Sequence, residues 1–135
     1  MNSRVYFDAN IILDIIDVDR TKHLSAKELW KNLLINNQTI VTSEDILTNV
    51  FYISKNKKDV LLFFKYIQDK WIISSFGKDI IKKAIDIALE KSLDLEDVLQ
   101  CLCAKENACK TLITHDKKFF DCGLKIQTIS EFTEI

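Results

Sequence analysis

At 135 residues with 47% hydrophobic content, the chain has material for one domain, 1–135, with its own core. A formal charge of -1 excludes any global pull toward nucleic acid or an anionic membrane, so a polyanion would have to be held by local lysine clusters or by metal ions. No proline and two glycines, Gly77 and Gly123, disfavour a Gly-rich phosphate loop, a Rossmann fingerprint and a turn-rich β-barrel.

Residues 4–7 read as a short strand ending at Asp8-Ala9-Asn10, followed by an apolar helix over 11–16. A second helix is predicted over 21–36, with Thr21 as its cap and Leu24, Leu29, Leu33 and Leu34 as its apolar stripe. Residues 39–42 form a second strand. Ser43 then caps a third helix whose Ile46, Leu47, Val50, Phe51 and Ile53 face inward, with Glu44 and Asp45 against its dipole. A basic joint, Lys55-Asn56-Lys57-Lys58, precedes a helix over 59–69 with Leu61, Leu62, Phe63, Phe64 and Ile67.

A third strand spans 71–74, and Gly77 separates it from a helix over 78–91. The helix over 94–107 buries Val98, Leu99, Leu102 and Cys103 and has an acidic first turn. Strand 111–114 runs out at Thr114-His115-Asp116; a fifth strand over 125–129 and a turn of helix over 130–134 close the chain. Strands alternating with helices predict an α/β fold with a mostly parallel sheet of four to five strands, helices on both faces and a site at the strands' carboxyl edge. No apolar run approaches the ~20 residues of a bilayer span, and residues 1–20 lack a leader pattern, so a cytoplasmic protein without membrane contact is expected. Cys101, Cys103, Cys109 and Cys122 match neither a zinc site nor a disulfide framework and read as reduced, mostly buried thiols.

Three strand ends or helix starts carry acids: Asp8, Asp97 and Asp116. Each has a structural explanation, since Asp8 and Asp116 could cap the following segments and Asp94 with Asp97 resembles a capping box. Gathered in one crevice, however, such carboxylates repel and call for a cation, and hard oxygen donors suit Mg2+ or Mn2+ better than zinc.

Tyr6-Phe7-Asp8-Ala9-Asn10, Asp94-Leu95-Glu96-Asp97-Val98-Leu99-Gln100 and Leu112-Ile113-Thr114-His115-Asp116-Lys117-Lys118-Phe119 resemble, in order and spacing, the motifs of the PIN domain family, which includes VapC-like toxin ribonucleases. The resemblance covers essentially the whole chain. It implies a PIN-like three-layer sandwich and a Mg2+- or Mn2+-dependent endoribonuclease acting on RNA. The partner it implies is an antitoxin protein, and a homodimer is expected. It maps catalytic and metal-binding acids onto Asp8, Asp97 and Asp116, with Asn10 and Thr114 at supporting positions.

One position departs from the pattern. Where the family usually carries a second acid, on the helix after the second strand, this chain has Asn49; Asp94 and Glu96 are candidate substitutes, and Glu44 and Asp45 rank lower as end-of-helix acids. A neutral amide oxygen weakens divalent binding, which keeps a second reading in play: a catalytically weakened RNA-binding or protein-interaction module. Hydrolysis by metal-activated water predicts 5′-phosphate and 3′-hydroxyl ends. Lys117 and Lys118 are candidate phosphate contacts, and His115 is expected to touch substrate or solvent more than to serve as an acid or base. Trp30, Trp71 and the stripe Phe51, Phe63 and Phe64 are expected in the core or at a subunit interface.

Overall fold

The computed structural model describes residues 3–133. Strand β1 (Arg4–Phe7), rich in β-branched and aromatic side chains, lies at the centre of a five-stranded sheet. β2 (Thr39–Ser43) and β3 (Ile72–Ser74) are added on one side, β4 (Thr111–Ile113) and β5 (Lys125–Gln127) on the other, giving the order β3-β2-β1-β4-β5. Every pairing is parallel. Tyr6 sits opposite Val41 on one neighbour and Leu112 on the other, so the carboxyl ends of all three central strands finish at one edge.

Handedness then distributes the helices. The connections from β1 to β2 and from β2 to β3 step in one direction, and right-handed crossovers put their helices on one face. These are α1 (Ala9–Ile16), α2 (His23–Ile35), α3 (Glu44–Ile53) and α4 (Lys57–Ile67), which pack on one another. The return from β3 to β4 steps the other way and carries α5 (Gly77–Lys91) and α6 (Leu95–Glu106), packed together, to the opposite face. The last helix, α7 (Ile129–Thr133), docks on α2. The strand order reverses between β1 and β4, which opens a crevice beyond their carboxyl ends.

The core is built from Tyr6, Phe7, Ile11, Ile12, Leu29, Leu33, Val41, Ile46, Val50, Leu112 and Ile113. On the α1–α4 face, Phe7, Trp30, Phe63 and Trp71 meet edge to face, as expected for core aromatics. Several expectations need correction. α2 starts at His23 with Lys22, not Thr21, at the cap position, and only Ala26, Leu29 and Leu33 of α2 are buried, while Leu24 is 78% exposed. Ile53, Leu61, Leu62 and Leu89 also face outward, because one buried stripe per amphipathic helix suffices and α4 uses Val60 and Ile67. The expected final helix over 130–134 begins one residue earlier, at Ile129, and its residue 134 lies outside the described residues.

The cysteine expectation holds for Cys103 and Cys109 and is overturned for Cys101 and Cys122. Cys101, on α6, and Cys122, in the segment between β4 and β5, form a disulfide, while Cys103 and Cys109 are buried free thiols. A separation of 21 residues carries no local motif; the tertiary packing of α6 against that segment makes the pair.

Candidate active site

β1 delivers Asp8 to the sheet edge, and the side chain divides its work. Oδ1 accepts from the Ala9 N–H at 2.8 Å, capping α1, and Oδ2 accepts from the Thr114 hydroxyl at 2.7 Å. Capping therefore occupies only one of the two oxygens. β4 places Thr114 beside Asp8 because Phe7 and Ile113 are in register and the Asp8 N–H donates to the Ile113 carbonyl at 3.1 Å. Thr114 Oγ1 also accepts from the Asp116 N–H at 3.1 Å, and Asp116 Oδ1 accepts from the Lys118 N–H at 2.9 Å, which fixes the turn after β4.

The third acid arrives on α6. Asp94 caps that helix by accepting from the Asp97 N–H at 3.1 Å, so Asp94 has the structural role anticipated for it while standing next to Asp97. Partial burial, then the charges of Asp94, Asp116, Asp8 and Glu96, push the Asp97 carboxyl up from 3.8 to about 6. That mutual repulsion registers Asp8, Asp97 and Asp116 in one electrostatic neighbourhood although they come from three parts of the chain. Glu96 is raised as well, by burial and by Asp45, Asp8 and Asp94, with the Asn49 hydrogen bond opposing.

Asn49 occupies the fourth corner. Its amide donates to Glu96 Oε1 at 2.9 Å and lies 3.5 Å from Asp45 Oδ2. Asp45 Oδ2 also accepts from Gln100 Nε2 at 3.0 Å; Gln100 Oε1 in turn accepts from Ser43 Oγ at 3.0 Å and from the Tyr6 phenol. Burial drives the Tyr6 phenol far above its ordinary range, which keeps it a donor. Gln100 and Asp45 thus brace the crevice floor. Asp45 was ranked low from the sequence as an end-of-helix acid and Gln100 was not singled out; the usable signal was Gln100 on the buried side of a helix whose acidic turn faces the site.

Among the described residues, no three His, Cys, Asp or Glu side chains form a ready-made metal cage. The donor set nonetheless suits a hard cation: Mg2+ keeps several waters and takes one or two protein carboxylates, and the crevice offers partly exposed carboxylate oxygens with neutral oxygens beside them. Asp8, Asp97 and Asp116 are the residues that could hold it, with Asp94 at the margin. Of the supporting residues, Asn10 is exposed and accepts from Arg20 Nη2 at 3.2 Å. Lys117 and Lys118 are exposed, and Lys117 lines a cleft of about 720 Å³ with Lys22, Thr114, His115, Asp116 and Phe119. Asp14 and Arg20, missed in the apolar helix over 11–16 and the loop behind it, pair at 2.7 Å beside the site.

Residues 5–123 match the family model of the PIN domain. Ribonuclease VapC1 of Aquifex aeolicus (strain VF5) is 37% identical over 139 residues, covering 99% of this chain and 96% of that protein. A parallel sheet whose switch point gathers acids from β1, α6 and the β4 turn is the PIN architecture, and the chain belongs to the PIN domain family. Solved structures that share the fold include two complexes. A toxin-antitoxin complex from Klebsiella pneumoniae has a TM-score of 0.69 at 20% identity, covering 93% of this chain and 97% of that one. VapBC2 from Rickettsia felis, bound to a DNA fragment from its promoter, has a TM-score of 0.65 at 22% identity, covering 93% and 98%. Among the described residues no helix is long and apolar enough to cross a membrane.

Proposed function

We propose that the chain is a Mg2+- or Mn2+-dependent endoribonuclease and the toxin of a toxin-antitoxin pair, working in the cytoplasm. Its relative at 37% identity is a ribonuclease, and structures sharing its fold include toxin-antitoxin complexes. The observation that carries the reading is the junction of Asp8, Asp97 and Asp116 at the sheet's switch point, with Thr114 bonded to Asp8 and to the Asp116 backbone.

Asp8, Asp97 and Asp116 would hold one or two divalent ions. When bound, the ion supplies an activated water and neutralises charge on the phosphate. The chain's own residues set the geometry: Thr114 fixes Asp8 Oδ2, Asp94 fixes the start of α6 under Asp97, and the Lys118 N–H fixes Asp116 Oδ1. Lys117, at the rim of the cleft that contains Asp116, is positioned to meet the phosphate backbone without reading its sequence. Exposed apolar side chains, Leu24, Leu34 and Ile35 on α2 and Leu61, Leu62 and Tyr66 on α4, are open to cover by an antitoxin segment or a second copy of the chain.

Incubation of labelled single-stranded RNA with the protein and Mn2+ is the test. Cleavage abolished by a chelator, lowered at least ~100-fold in Asp8→Asn and Asp116→Asn, beyond the 10–100-fold typical of a supporting residue, and leaving 5′-phosphate ends supports the reading. Full activity in either variant, or a 2′,3′-cyclic phosphate product, contradicts it. Asn49 supports a second reading, an RNA-binding or protein-interaction module, because its amide ties up Glu96 instead of adding a charge. RNA binding with no divalent-dependent cleavage would favour that one.

A further inference from the structure

Beside the acid cluster lies a buried carboxylate that the cluster does not use. Asp14, on α1, is 3% exposed. Its Oδ1 accepts from Arg20 Nε at 2.7 Å, and its Oδ2 lies 2.8 Å from His115 Nε2, so one side chain joins α1, the loop before α2 and the turn after β4. Burying a carboxylate is costly unless it is paired, and both partners are needed to satisfy this one. Arg20 reaches on to Asn10 Oδ1 at 3.2 Å, and Lys22 Nζ stands 3.4 Å from His115 Nδ1.

These contacts hold Arg20 and Lys22 without exhausting their donors. The Arg20 side chain remains 32% exposed and its guanidinium has donors to spare, while Lys22 is exposed. Arg20, Lys22 and His115 line a cleft of about 450 Å³, and Lys22 and His115 also line the larger cleft that contains Thr114 and Asp116. Asp19 faces the smaller cleft too, so an anion there would be held by directed donors and not by net charge. In sequence, Asn10 stands two residues after Asp8 and His115 one before Asp116.

We propose that Arg20 and Lys22, the first held by Asp14 and the second by His115, form a phosphate-binding subsite for the RNA strand next to the cleaved bond; the proposal rests on RNA being the ligand, as in the reading above. A crevice of carboxylates repels a phosphodiester, so ground-state binding has to come from cationic donors at its margin. An arginine fork braced by a carboxylate is preorganised for that contact. Asp14 is a positioning residue: it holds Arg20 directly and Lys22 through His115, and does not touch the strand.

The test is steady-state cleavage of a labelled single-stranded RNA of mixed sequence with Mn2+ over a salt series. Lys22→Ala and Arg20→Ala are expected to raise KM by about 5- to 10-fold with little change in kcat, and each to flatten the log–log salt dependence by about 0.7 to 1. Arg20→Lys should recover part of the affinity, and Asp14→Asn should raise KM as Arg20→Ala does. Lys22 is exposed and outside any helix, so its variant stays informative even if the Asp14 variant fails to fold. Wild-type KM and salt slope in both alanine variants overturn the subsite. If the parent protein binds this RNA by fluorescence anisotropy but does not cleave it, weaker binding by the same variants upholds the subsite while the nuclease reading falls. RNA neither bound nor cleaved overturns both.

Discussion

Thr114 donates its hydroxyl proton to Asp8 across 106 residues of sequence, at 2.7 Å, while the same oxygen accepts from the Asp116 backbone. One small side chain therefore sets the spacing of the first and last acids of the site. Thr114→Val keeps the volume and removes the bond. It should cut divalent-dependent cleavage by ~10–100-fold and weaken Mn2+ binding, at a cost of about 1–3 kcal/mol in folding stability. Kinetics and a thermal melt of the same preparation check this, and unchanged metal affinity would remove Thr114 from the account.

Asp97 ties stability to pH and metal. Its carboxyl is raised from 3.8 to about 6 by burial and then by its acidic neighbours. Across that window the folded chain keeps a proton that the unfolded chain has lost, so stability falls as pH rises through it, and the repulsion is fully present above. A divalent cation relieves the repulsion and displaces the proton. Mn2+ should therefore raise the melting temperature clearly more at about pH 7.5 than at about pH 4.5, with proton release on binding near pH 6. Equal stabilisation at both pH values contradicts this electrostatic picture.

Asn49 offers a charge test with opposite signs for two observables. Its amide donates to Glu96 and sits beside Asp45. Asn49→Asp replaces the donor with a third carboxylate, so the metal-free protein should lose about 1–2 kcal/mol while affinity for Mn2+ rises. Melts with and without Mn2+ measure both. Loss of stability without a gain in metal affinity would place Asn49 outside the metal's reach.

The Cys101–Cys122 bridge closes a 21-residue separation from the α6 turn after Asp97 to the segment after Asp116. On the chain-entropy estimate it stabilises the fold by about 3 kcal/mol. A reducing agent, or Cys122→Ser, should lower the melting temperature accordingly. A melt that is the same with and without reductant shows the bridge to be absent in solution.

The strands, and the placement of Asp8 at the sheet edge, were legible because the signals are local. Alternation of short apolar runs with helical periods reveals a parallel sheet, and an Asp directly after a strand must lie at the sheet edge. Features made only by packing were not. Asp14 hides in an otherwise apolar run, and its burial makes sense only once His115, 101 residues away, arrives beside it. The disulfide likewise depends on how α6 meets the β4–β5 connection. On α2, Leu24 and Leu34 were assigned inward because hydrophobicity alone does not reveal which apolar stripe meets the sheet and which is left outside.

The central claim is that Asp8, Asp97 and Asp116 share one divalent cation site. Anomalous scattering from a crystal soaked in Mn2+ tests it most directly. The account predicts a manganese peak coordinated by oxygens of at least two of these carboxylates, lost in Asp116→Asn. A well-diffracting crystal at saturating Mn2+ with its peak elsewhere, or with no peak in the crevice, would contradict it.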